Sequence, residues 1–351
     1  MHVVLADPPA FTPQYDHELA AALARAGAEV RLLTSRFRFG ETPPPEGYVR
    51  DERLYPLSSR LFGRSRARLP LRAVEHLDVL FELSRVRHGV LHLQWLAWPQ
   101  LDRRLRLRVP AVFTAHDLLP RRTAHRPGLW RELLARFGRI VVHSERGRET
   151  LAELGVEPER LRVVPHPVSP SDPPRADDGR TLLCFGVLRA YKGLGDAIDA
   201  VRRLDGARLV VAGDPAEPAE PYRERARGLE VDWRLGYLPQ HEVDRAFGEA
   251  TVALFPYRPE LDQSGALLRA LGAGVPAIAY DVGGIAEPVR RFGAGRVVPP
   301  GDVDALAAAT RELLDDSAAL EAARAGARRA REELTWDRAA AAHLELYREL
   351  V

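Results

Sequence analysis

One lysine stands out among the residues whose type and spacing could do chemistry. Lys and Arg total 51, and Lys192 is the only lysine. Gly186 and Gly193 flank it, and Arg189 adds a cation three positions before it. Glycines allow close backbone approach, and free amides and cations at a helix start attract an anion. We therefore predict a diphosphate site here, although neither the Walker spacing nor the GxGxxG spacing is present.

The alternative interpretation is that Lys192 survived by chance. The chain is rich in Ala, Gly and Pro and contains no Asn, a composition typical of a GC-biased genome that replaces Lys by Arg. The two bases are loosely exchangeable on a surface, but a compact ammonium and a planar guanidinium are not equivalent inside a site. The neighbours of Lys192 favour the functional interpretation.

The elements that would position these residues follow from the apolar pattern. Short apolar runs alternate with helical patterns, which is typical of parallel α/β units. Strands are predicted at 2–7, 29–34, 90–95, 111–117, 139–144 and 161–167, and again at 181–187, 207–214, 231–238, 251–257, 275–281 and 294–300. Helices are predicted at 15–26, 318–334 and 335–350.

The length of 351 residues favours two domains over one. The Pro- and Asp-rich stretch at 169–179 breaks the α/β rhythm as a linker would. We predict an α/β fold with two Rossmann-like, doubly wound domains at 1–168 and 180–334, and a C-terminal helix at 335–351. The carboxyl ends of the strands in both domains are expected to line a cleft between them.

Composition excludes several classes of protein. Hydrophobic residues make up 46% and charged residues 28%, as in a globular protein with real cores. No apolar run reaches the roughly 20 residues of a membrane-spanning helix. Cys184 is the only cysteine, so it is expected to be a buried thiol rather than part of a disulfide or a multi-cysteine metal site. The first residues show no signal peptide pattern, and a cytoplasmic location is expected.

Charge is unevenly distributed along the chain. Residues 1–168 hold 27 Arg against 19 Asp and Glu, a net charge of +8, and the remainder carries −6. Arginines are interleaved with apolar residues in one segment: Arg60, Arg64, Arg66, Arg68 and Arg72 with Leu57, Leu61, Phe62, Leu69 and Leu71. This segment is either a solvated surface or a contact with an anionic membrane, which would place the protein peripherally on the inner face.

Short motifs come in a fixed order along the chain. The first half contains Thr114-Ala115-His116-Asp117, Val141-Val142-His143-Ser144 and Val164-Pro165-His166-Pro167. The second half contains Gly186 with Lys192-Gly193, then Val211-Ala212-Gly213-Asp214, Gly236-Tyr237-Leu238-Pro239, Leu254-Phe255-Pro256-Tyr257, Gly272-Ala273-Gly274-Val275-Pro276 and Asp281-Val282-Gly283-Gly284. This ordered set resembles the retaining glycosyltransferases of family 4 (glycosyl transferases group 1), which have the GT-B fold. The likeness spans nearly the whole chain.

The resemblance implies transfer of a hexose-type sugar from a nucleotide diphosphate sugar, with retention of anomeric configuration and without a metal. The second half would bind the donor and the first half a glycan, lipid-linked or small-molecule acceptor. Lys192 and Arg189 would hold the donor diphosphate, close to Gly186 and Gly193. Fixed cations there would stabilise the charge that grows on the leaving phosphate.

Three further positions take their expected roles from the resemblance. The backbone around Tyr237 and Leu238 would hold the base of the nucleotide. His116, at the end of a predicted strand, would lie near the sugar and the acceptor, so we assign it to the active site. The alternative is a strand-end histidine with a backbone partner. His143 and His166 are interpreted as structural.

The chain departs from the family where two Glu residues usually contact the sugar and the ribose. Leu261 and Arg269 occupy those positions, and Arg269 cannot accept bonds from two ribose hydroxyls as Glu does. Glu260 or Asp262 could substitute after a small shift. The residues that could still present amides and polar groups to the sugar are Gln263, Ser264 and Gly265.

The loop 8–14 lacks the double glycine that is common after the first strand in this family. Tyr15 and Asp16 are therefore candidates for an acceptor site of a different shape. Asp302 and Asp304 match the Asp-x-Asp pattern of metal-dependent enzymes, but Asp302 is better placed to cap a helix. No metal cofactor is expected, and nucleic acid is not expected as a partner because no binding motif accompanies the basic residues.

Two other functions remain open at this point. A noncatalytic GT-B protein that binds a glycan or a partner enzyme would explain the missing carboxylate pair. A sugar-nucleotide epimerase is a third possibility, and it would need no acceptor.

Overall fold

The structure is a computed structural model of the chain, and it describes residues 1–38, 40–60, 68–119, 123–258 and 263–351. It divides into two compact units. The first unit comprises Met1–Pro165 together with Trp336–Val351, and the second unit comprises His166–Thr335. The segment 169–179, expected to be a linker, has no helix or strand and falls within the second unit.

Strands and helices alternate along the chain, as the apolar pattern predicts. The strands are β1 (His2–Asp7), β2 (Glu29–Ser35), β3 (Val49–Leu54), β4 (Val90–Leu93), β5 (Ala111–Thr114), β6 (Arg139–Val142), β7 (Leu161–Val163), β8 (Thr181–Phe185), β9 (Arg208–Gly213), β10 (Val231–Leu235), β11 (Val252–Phe255), β12 (Ala277–Tyr280) and β13 (Gly295–Val298). The α-helices are α1 (Pro13–Arg25), α2 (Pro56–Arg60), α3 (Arg68–Ser84), α4 (Pro99–Asp102), α5 (Pro127–Leu134), α6 (Glu145–Glu153), α7 (Leu194–Val201), α8 (Glu220–Arg225), α9 (Gln240–Glu249), α10 (Gly265–Gly272), α11 (Ala286–Phe292), α12 (Val303–Asp315), α13 (Ser317–Glu333) and α14 (Trp336–Arg348).

Each unit is built on one parallel sheet. Within the described residues, the sheet of the first unit has the order β3-β2-β1-β4-β5-β6-β7, and that of the second unit has the order β10-β9-β8-β11-β12-β13. The strand order reverses between β1 and β4 and between β8 and β11. Loops that leave the carboxyl ends of such strand pairs run in opposite directions, and ligands bind in the crevice between them.

The strands are apolar because the sheets are covered on both faces. All four residues of β4 and of β12 are buried, which explains their continuous apolar runs. Several predicted strands end earlier than expected: β4 ends at Leu93 and β5 at Thr114. Trp95 and His116, which were placed at strand ends, therefore lie in loops at the carboxyl edge of the first sheet.

Strand β3 has no counterpart in the sequence-based prediction. It pairs with β2 alone, at the edge of the sheet, and its charged residues 50–53 are partly or fully exposed. Charged side chains are common on edge strands because they discourage pairing with other chains. This composition hides the strand from a search for apolar runs.

The last two helices agree with the prediction within two residues at each end. Helix α14 packs against α1 in the first unit, where Trp336, Ala340 and Tyr347 are buried. The C-terminal segment thus completes the core of the unit that holds the N-terminus.

A buried polar cluster joins α14 to the sheet of the first unit. His92 of β4 is hydrogen-bonded to the Tyr347 hydroxyl (2.6 Å) and to the Thr114 hydroxyl (2.7 Å). His343 donates from Nδ1 to the Ala339 carbonyl (2.7 Å), and its ring centroid lies 5.3 Å from that of His92. Burial lowers the pKa of His92 well below its ordinary value and lowers the pKa of His343 to about 4.

Acid is expected to destabilise the first unit through these histidines. In the unfolded chain a histidine takes up a proton near pH 6.5, whereas folded His343 resists protonation down to about pH 4. The stability that His343 contributes is thus present above pH 6.5 and is lost as the pH falls toward 4, by at most about 1.4 kcal/mol per pH unit. We expect His343→Leu to reduce the drop in urea midpoint between pH 7.5 and 5.0.

The exposed His241 provides the matched control for this measurement, since 77% of its side chain is accessible. His241→Leu should show the same drop in urea midpoint as the unmodified chain. An equally large drop in His343→Leu would contradict the assignment.

Candidate functional site

Lys192 lies directly above Gly186 at the carboxyl end of β8. A Cβ atom added to Gly186 would come within 2.5 Å of the Lys192 Nζ, and the φ of this glycine is +109°. Any other residue at 186 would therefore be strained and would displace the ammonium. The residues predicted to form one site, Gly186 and Lys192, are in contact.

The turn that carries Lys192 is fixed from two sides. A Cβ atom on Gly193 would clash with the carbonyl oxygen of Pro256, so this position also requires glycine. The amide of Ala190 donates to Glu217 (3.0 Å), which also accepts a bond from the Tyr222 hydroxyl (2.5 Å). Glu217 thus anchors the start of the turn, and the sequence motifs gave no signal for it.

Lys192 is a half-buried cation in a pocket with mostly apolar walls. Its Nζ lies 5.4 Å from the centre of the Tyr257 ring, and Cys184, Phe185 and Leu254 also line the pocket. Within the described residues, which do not include 259–262, no carboxylate lies within ion-pair distance of Lys192. Burial, with a smaller contribution from the charge of Arg189, lowers the pKa of Lys192 to about 8.

Cys184 is half-buried as a residue, and it packs against the core of the second unit. It is the last residue but one of β8, and the pocket below Lys192 opens beside it. Burial of the sulfur still raises the pKa of the Cys184 thiol to about 12, so the thiol stays protonated at neutral pH.

Arg269 lies on α10 and reaches the start of α9. Its Nη2 donates to the Gln240 amide oxygen (2.6 Å), and its guanidinium carbon lies 5.7 Å from the centre of the Phe185 ring. Burial lowers the pKa of Arg269. Tyr237, just before α9, is 75% exposed and Leu238 is half-buried. Among the described residues, which do not include Glu260 and Asp262, Arg269 is therefore held by packing on Phe185 and by a neutral hydrogen-bond partner.

The segment before α10 forms a capped helix start. The Ser264 hydroxyl accepts a bond from the Leu267 amide (3.2 Å) and donates to the Tyr257 hydroxyl (3.3 Å). Gln263 is half-buried and Gly265 is exposed. Glu260, Leu261 and Asp262 lie outside the described residues.

In the first unit, His116 belongs to a chain of polar contacts at the carboxyl edge of the sheet. Its Nε2 lies 2.9 Å from Gln94 Oε1, and its Nδ1 lies 3.4 Å from Nε2 of His143. Nδ1 of His143 donates to the Val164 carbonyl (2.9 Å). The backbone bond of His143 agrees with its structural interpretation. The same holds for His166, which donates to the Pro167 carbonyl and whose pKa burial lowers to about 4.

The positions of the protons in this series of polar contacts depend on the orientation of the Gln94 amide. With Gln94 Oε1 toward His116, the contacts require three ring protons on His116 and His143, and the buried Gln94 Nε2 has no partner among the described residues. A 180° turn of the amide lets Gln94 donate to His116 Nε2 and lets His116 Nδ1 donate to His143. This orientation gives the Gln94 amide nitrogen a partner and requires only one proton on each ring for these contacts, so we assign it.

Tyr15 and Asp16, the acceptor-side candidates, are both buried. The Tyr15 ring contacts His116 edge-on at 4.7 Å between centroids and contacts Trp336 at 5.1 Å. Burial, together with the charge of Asp7, raises the pKa of Asp16 well above its ordinary value. Tyr15 and Asp16 support the edge of the sheet from below rather than line its surface.

The Arg-rich segment is described only in part. Arg60 and Leu57 are exposed on α2, whereas the Arg72 guanidinium lies over the Tyr55 ring at 4.1 Å. Residues 61–67 lie outside the described part of the chain, as do the side chains of Arg68 and Leu69. No helix of the described residues is long and apolar enough to cross a membrane.

Asp302 caps α12 as predicted, since its carboxylate accepts a bond from the Ala305 amide (2.8 Å). Asp304 pairs with Arg203 at 3.3 Å. In the part of the chain that the structure describes, there is no group of three His, Cys, Asp or Glu side chains that could hold a metal ion.

Two family models match the chain, one for each half. Residues 14–172 match Glycosyltransferase Family 4, and residues 179–316 match Glycosyl transferases group 1. The chain belongs to the group 1, family 4 glycosyltransferases. The predicted resemblance is thereby confirmed.

Curated relatives of this glycosyltransferase-family chain differ in length. An exopolysaccharide phosphotransferase of Streptomyces coelicolor is 32% identical over 233 residues, which are 60% of this chain and 25% of that protein. A glycogen synthase of Mycobacterium tuberculosis is 33% identical over 173 residues, 47% of this chain and 42% of that protein. A D-inositol 3-phosphate glycosyltransferase of Jonesia denitrificans is 25% identical over 392 residues, 95% of this chain and 89% of that protein. The chain thus spans less than half the length of two of these relatives.

Solved structures of similar fold cover the whole chain. Sucrose-phosphate synthase from Thermosynechococcus elongatus has a TM-score of 0.74 at 20% identity, over 100% of this chain and 99% of that chain. HepE from Anabaena, solved in complex with UDP and glucose, has a TM-score of 0.69 at 15% identity, over 100% of both chains. These likenesses and the two parallel sheets confirm the predicted α/β fold with Rossmann-like domains of the GT-B type.

Because the chain has one lysine, the protonation of Lys192 can be measured directly. Lysine labelled with ¹³C and ¹⁵N should give a single side-chain signal in NMR spectra, and we expect it to titrate near pH 8 rather than near 10.4. Inorganic pyrophosphate should raise this midpoint, since an anion favours the charged form.

Arg189→Gln is the companion variant for this titration. It should also raise the Lys192 midpoint, although less than pyrophosphate does, because it removes a neighbouring cation. A midpoint above pH 10 in the free protein would show that Lys192 is not desolvated.

Proposed function

We propose that the chain transfers a hexose-type sugar from a nucleotide diphosphate sugar to an acceptor, with retention of anomeric configuration. The observation that carries this proposal is Lys192, a desolvated cation above Gly186 in a pocket at the carboxyl end of β8. As the glycosidic bond breaks, negative charge grows on the leaving phosphate. A fixed, partly desolvated cation can stabilise that charge with little reorganisation.

Each donor-binding residue has a proposed role within the second unit. Lys192 and Arg189 bind the diphosphate, and Gly186 and Gly193 let the backbone approach it. The backbone at Tyr237 and Leu238 binds the base. The residues proposed to contact the transferred sugar are Gln263, Ser264 and Gly265.

Arg269 is proposed to lie beside the nucleotide, where a glutamate would usually bind the ribose. Its hydrogen bond to Gln240 places, at the start of α9, a side chain that can donate hydrogen bonds but cannot accept them. Arg269 can donate to a ribose oxygen or to a phosphate, but it cannot accept the two ribose hydroxyl protons. Donor selectivity at this point is therefore expected to differ from that of family members with the usual pair.

The proposed donor class has support from the comparisons. HepE was solved with UDP and glucose, and the names of several relatives describe transfer to an inositol phosphate or synthesis of a glucan. A glycan, a lipid-linked sugar or a small polyol is accordingly the proposed acceptor. No metal is needed in this proposal, because Lys192 and Arg189 supply the positive charge at the diphosphate.

His116 is proposed to act from the acceptor side in the first unit. Both of its ring nitrogens are engaged, by Gln94 and by His143. His116 can therefore bind a substrate hydroxyl only after one of these bonds opens. Until then, it supports the aromatic residues that surround it.

The proposed reaction is tested with purified protein and a panel of UDP-, GDP-, ADP- and dTDP-hexoses, first by calorimetry and then by ¹H NMR of the products. We expect one donor to bind, and Lys192→Met to weaken its binding at least tenfold. Met keeps the aliphatic stem and removes the charge-assisted hydrogen bonds, which contribute about 1.5–3 kcal/mol. Turnover should persist in EDTA, and the product should keep the anomeric configuration of the donor.

Several outcomes would decide against this proposal. Donor binding that Lys192→Met leaves unchanged would remove the diphosphate assignment, and an inverted product would remove retention. Donor binding without turnover for any acceptor would favour the noncatalytic GT-B protein. Conversion of the nucleotide sugar without an acceptor would favour the epimerase.

We further propose that the Arg-rich segment contacts an anionic membrane surface, with the protein peripheral on its inner face. The support is Arg60, which is exposed next to the exposed Leu57 on α2. Arg72 contributes less in this proposal because it is stacked on Tyr55.

Sedimentation with phosphatidylglycerol vesicles tests the membrane contact. Binding should be strong at 50 mM salt and weak at 500 mM, and Arg60→Gln should weaken it about fivefold, since a basic residue near the surface contributes about 1 kcal/mol. Arg245→Gln, a change at an exposed arginine in the second unit, should have no effect. Binding that is absent, or that salt does not change, would remove this proposal.

A further inference from the structure

An exposed aromatic pair lies at the carboxyl edge of the first sheet, in the loops after β1 and β4. Phe11 is 60% exposed, and its ring meets that of Trp95 edge-to-face, with 5.3 Å between centroids and an angle of 82°. Trp95 is half-buried. A large exposed aromatic side chain adds little to the core, so its position calls for another explanation.

The pair is held rigidly from below. The Trp95 indole donates to the Thr12 hydroxyl (2.9 Å), and the Thr12 amide donates to the Asp7 carboxyl group (3.0 Å). On its other side the Trp95 ring is stacked on His116, with 5.3 Å between centroids and an angle of 16°. These contacts preset the orientation of Trp95, which lowers the entropy cost of binding a ligand to it.

The loop before Phe11 is built around an unusual backbone. Ala10 has a φ of +55°, in the left-handed region, and its amide donates to the Asp7 carbonyl (3.1 Å). A non-glycine residue in this region costs roughly 1–2 kcal/mol. The tight turn is followed by Phe11, which lies at the surface beside Trp95.

We infer that Phe11 and Trp95 form a binding platform for a six-membered polyol ring of the acceptor, a pyranose or a cyclitol. Such a ring has hydroxyls around its rim and a C–H face that is apolar. The C–H face packs on aromatic rings, while the rim keeps its hydrogen bonds to water or to polar side chains. This inference rests on the proposed function in one respect: the donor is assigned to the second unit, which leaves the platform of the first unit for the other substrate.

The platform gives a role to the two hydrogen bonds that engage both ring nitrogens of His116. His116 lies between Trp95 and Tyr15, with Trp95 on its face and Tyr15 at its edge. Its hydrogen bonds to Gln94 and His143 fix the plane of its ring and therefore that of Trp95. His116 is thus a positioning residue for the platform.

Ligand-observed saturation-transfer NMR tests the platform without a donor and without turnover. The probes are methyl α-D-glucopyranoside and myo-inositol, with sorbitol as an acyclic polyol of six carbons. We expect at least one cyclic probe to receive saturation at its ring C–H protons and sorbitol to receive none. Phe11→Ala should weaken binding of the cyclic probe about five- to tenfold, and Phe11→Tyr should preserve it.

Phe81 on α3 gives a matched control, because it is also a phenylalanine with 60% exposure. Phe81→Ala should leave binding of the probes unchanged. Equal binding by Phe11→Ala and the unmodified chain would overturn the inference. So would equal binding of sorbitol, or no binding of either cyclic probe at 50 mM. Which cyclic probe binds distinguishes a pyranose from a cyclitol.

The two proposals can fail separately. Ring binding that depends on Phe11, without sugar transfer, would keep the platform and remove the reaction. If transfer is found, Phe11→Ala should raise the acceptor KM about five- to tenfold and leave the donor KM unchanged. Transfer with an unchanged acceptor KM would keep the reaction and remove the platform.

Discussion

The proposed chemistry depends on one physical constraint, a partly desolvated lysine ammonium held above a glycine. Lys192 can occupy its place because Gly186 has no side chain and because Gly193 lets the turn pass beneath the Pro256 carbonyl. The cost of desolvating the charge appears as the lowered pKa of Lys192. A ligand that brings negative charge to this pocket recovers that cost, so the free site is already biased toward an anion.

The two units use the same sheet topology for different chemistry. Each parallel sheet reverses its strand order next to its first strand, and the loops at the carboxyl edge there are free to diverge. In the second unit these loops carry Lys192 and Arg189, which suit phosphate. In the first unit they carry Phe11, Trp95 and His116, which suit the apolar face of a polyol. The net charges of the two halves do not reveal this contrast between cationic and aromatic loops, because the arginine excess of the first half does not come from the loop residues named here.

Two departures from the family pattern lie at positions that are proposed to contact the donor or the acceptor. Arg269 stands where the resemblance implies a carboxylate, and its hydrogen-bond partner is the neutral side chain of Gln240. Ala10 has a left-handed backbone in the loop that carries Phe11. Both residues lie outside the strands. Segments that connect strands generally tolerate more variation than the strands themselves.

The sequence by itself determined the α/β class, nearly all of the strands and the family, because buried parallel strands are apolar runs. It also singled out Lys192, because a lone lysine between glycines is visible in one dimension. Strand β3 was missed because its charged residues interrupt the apolar pattern, and the burial of Tyr15 and Asp16 could not be read from residue type. Only the tertiary structure decided that Glu217 anchors the Lys192 turn, that His116 is closed in by Gln94 and His143, and that Phe11 meets Trp95. Each of these contacts joins residues distant in sequence, so their geometry exists only after the strands are placed side by side.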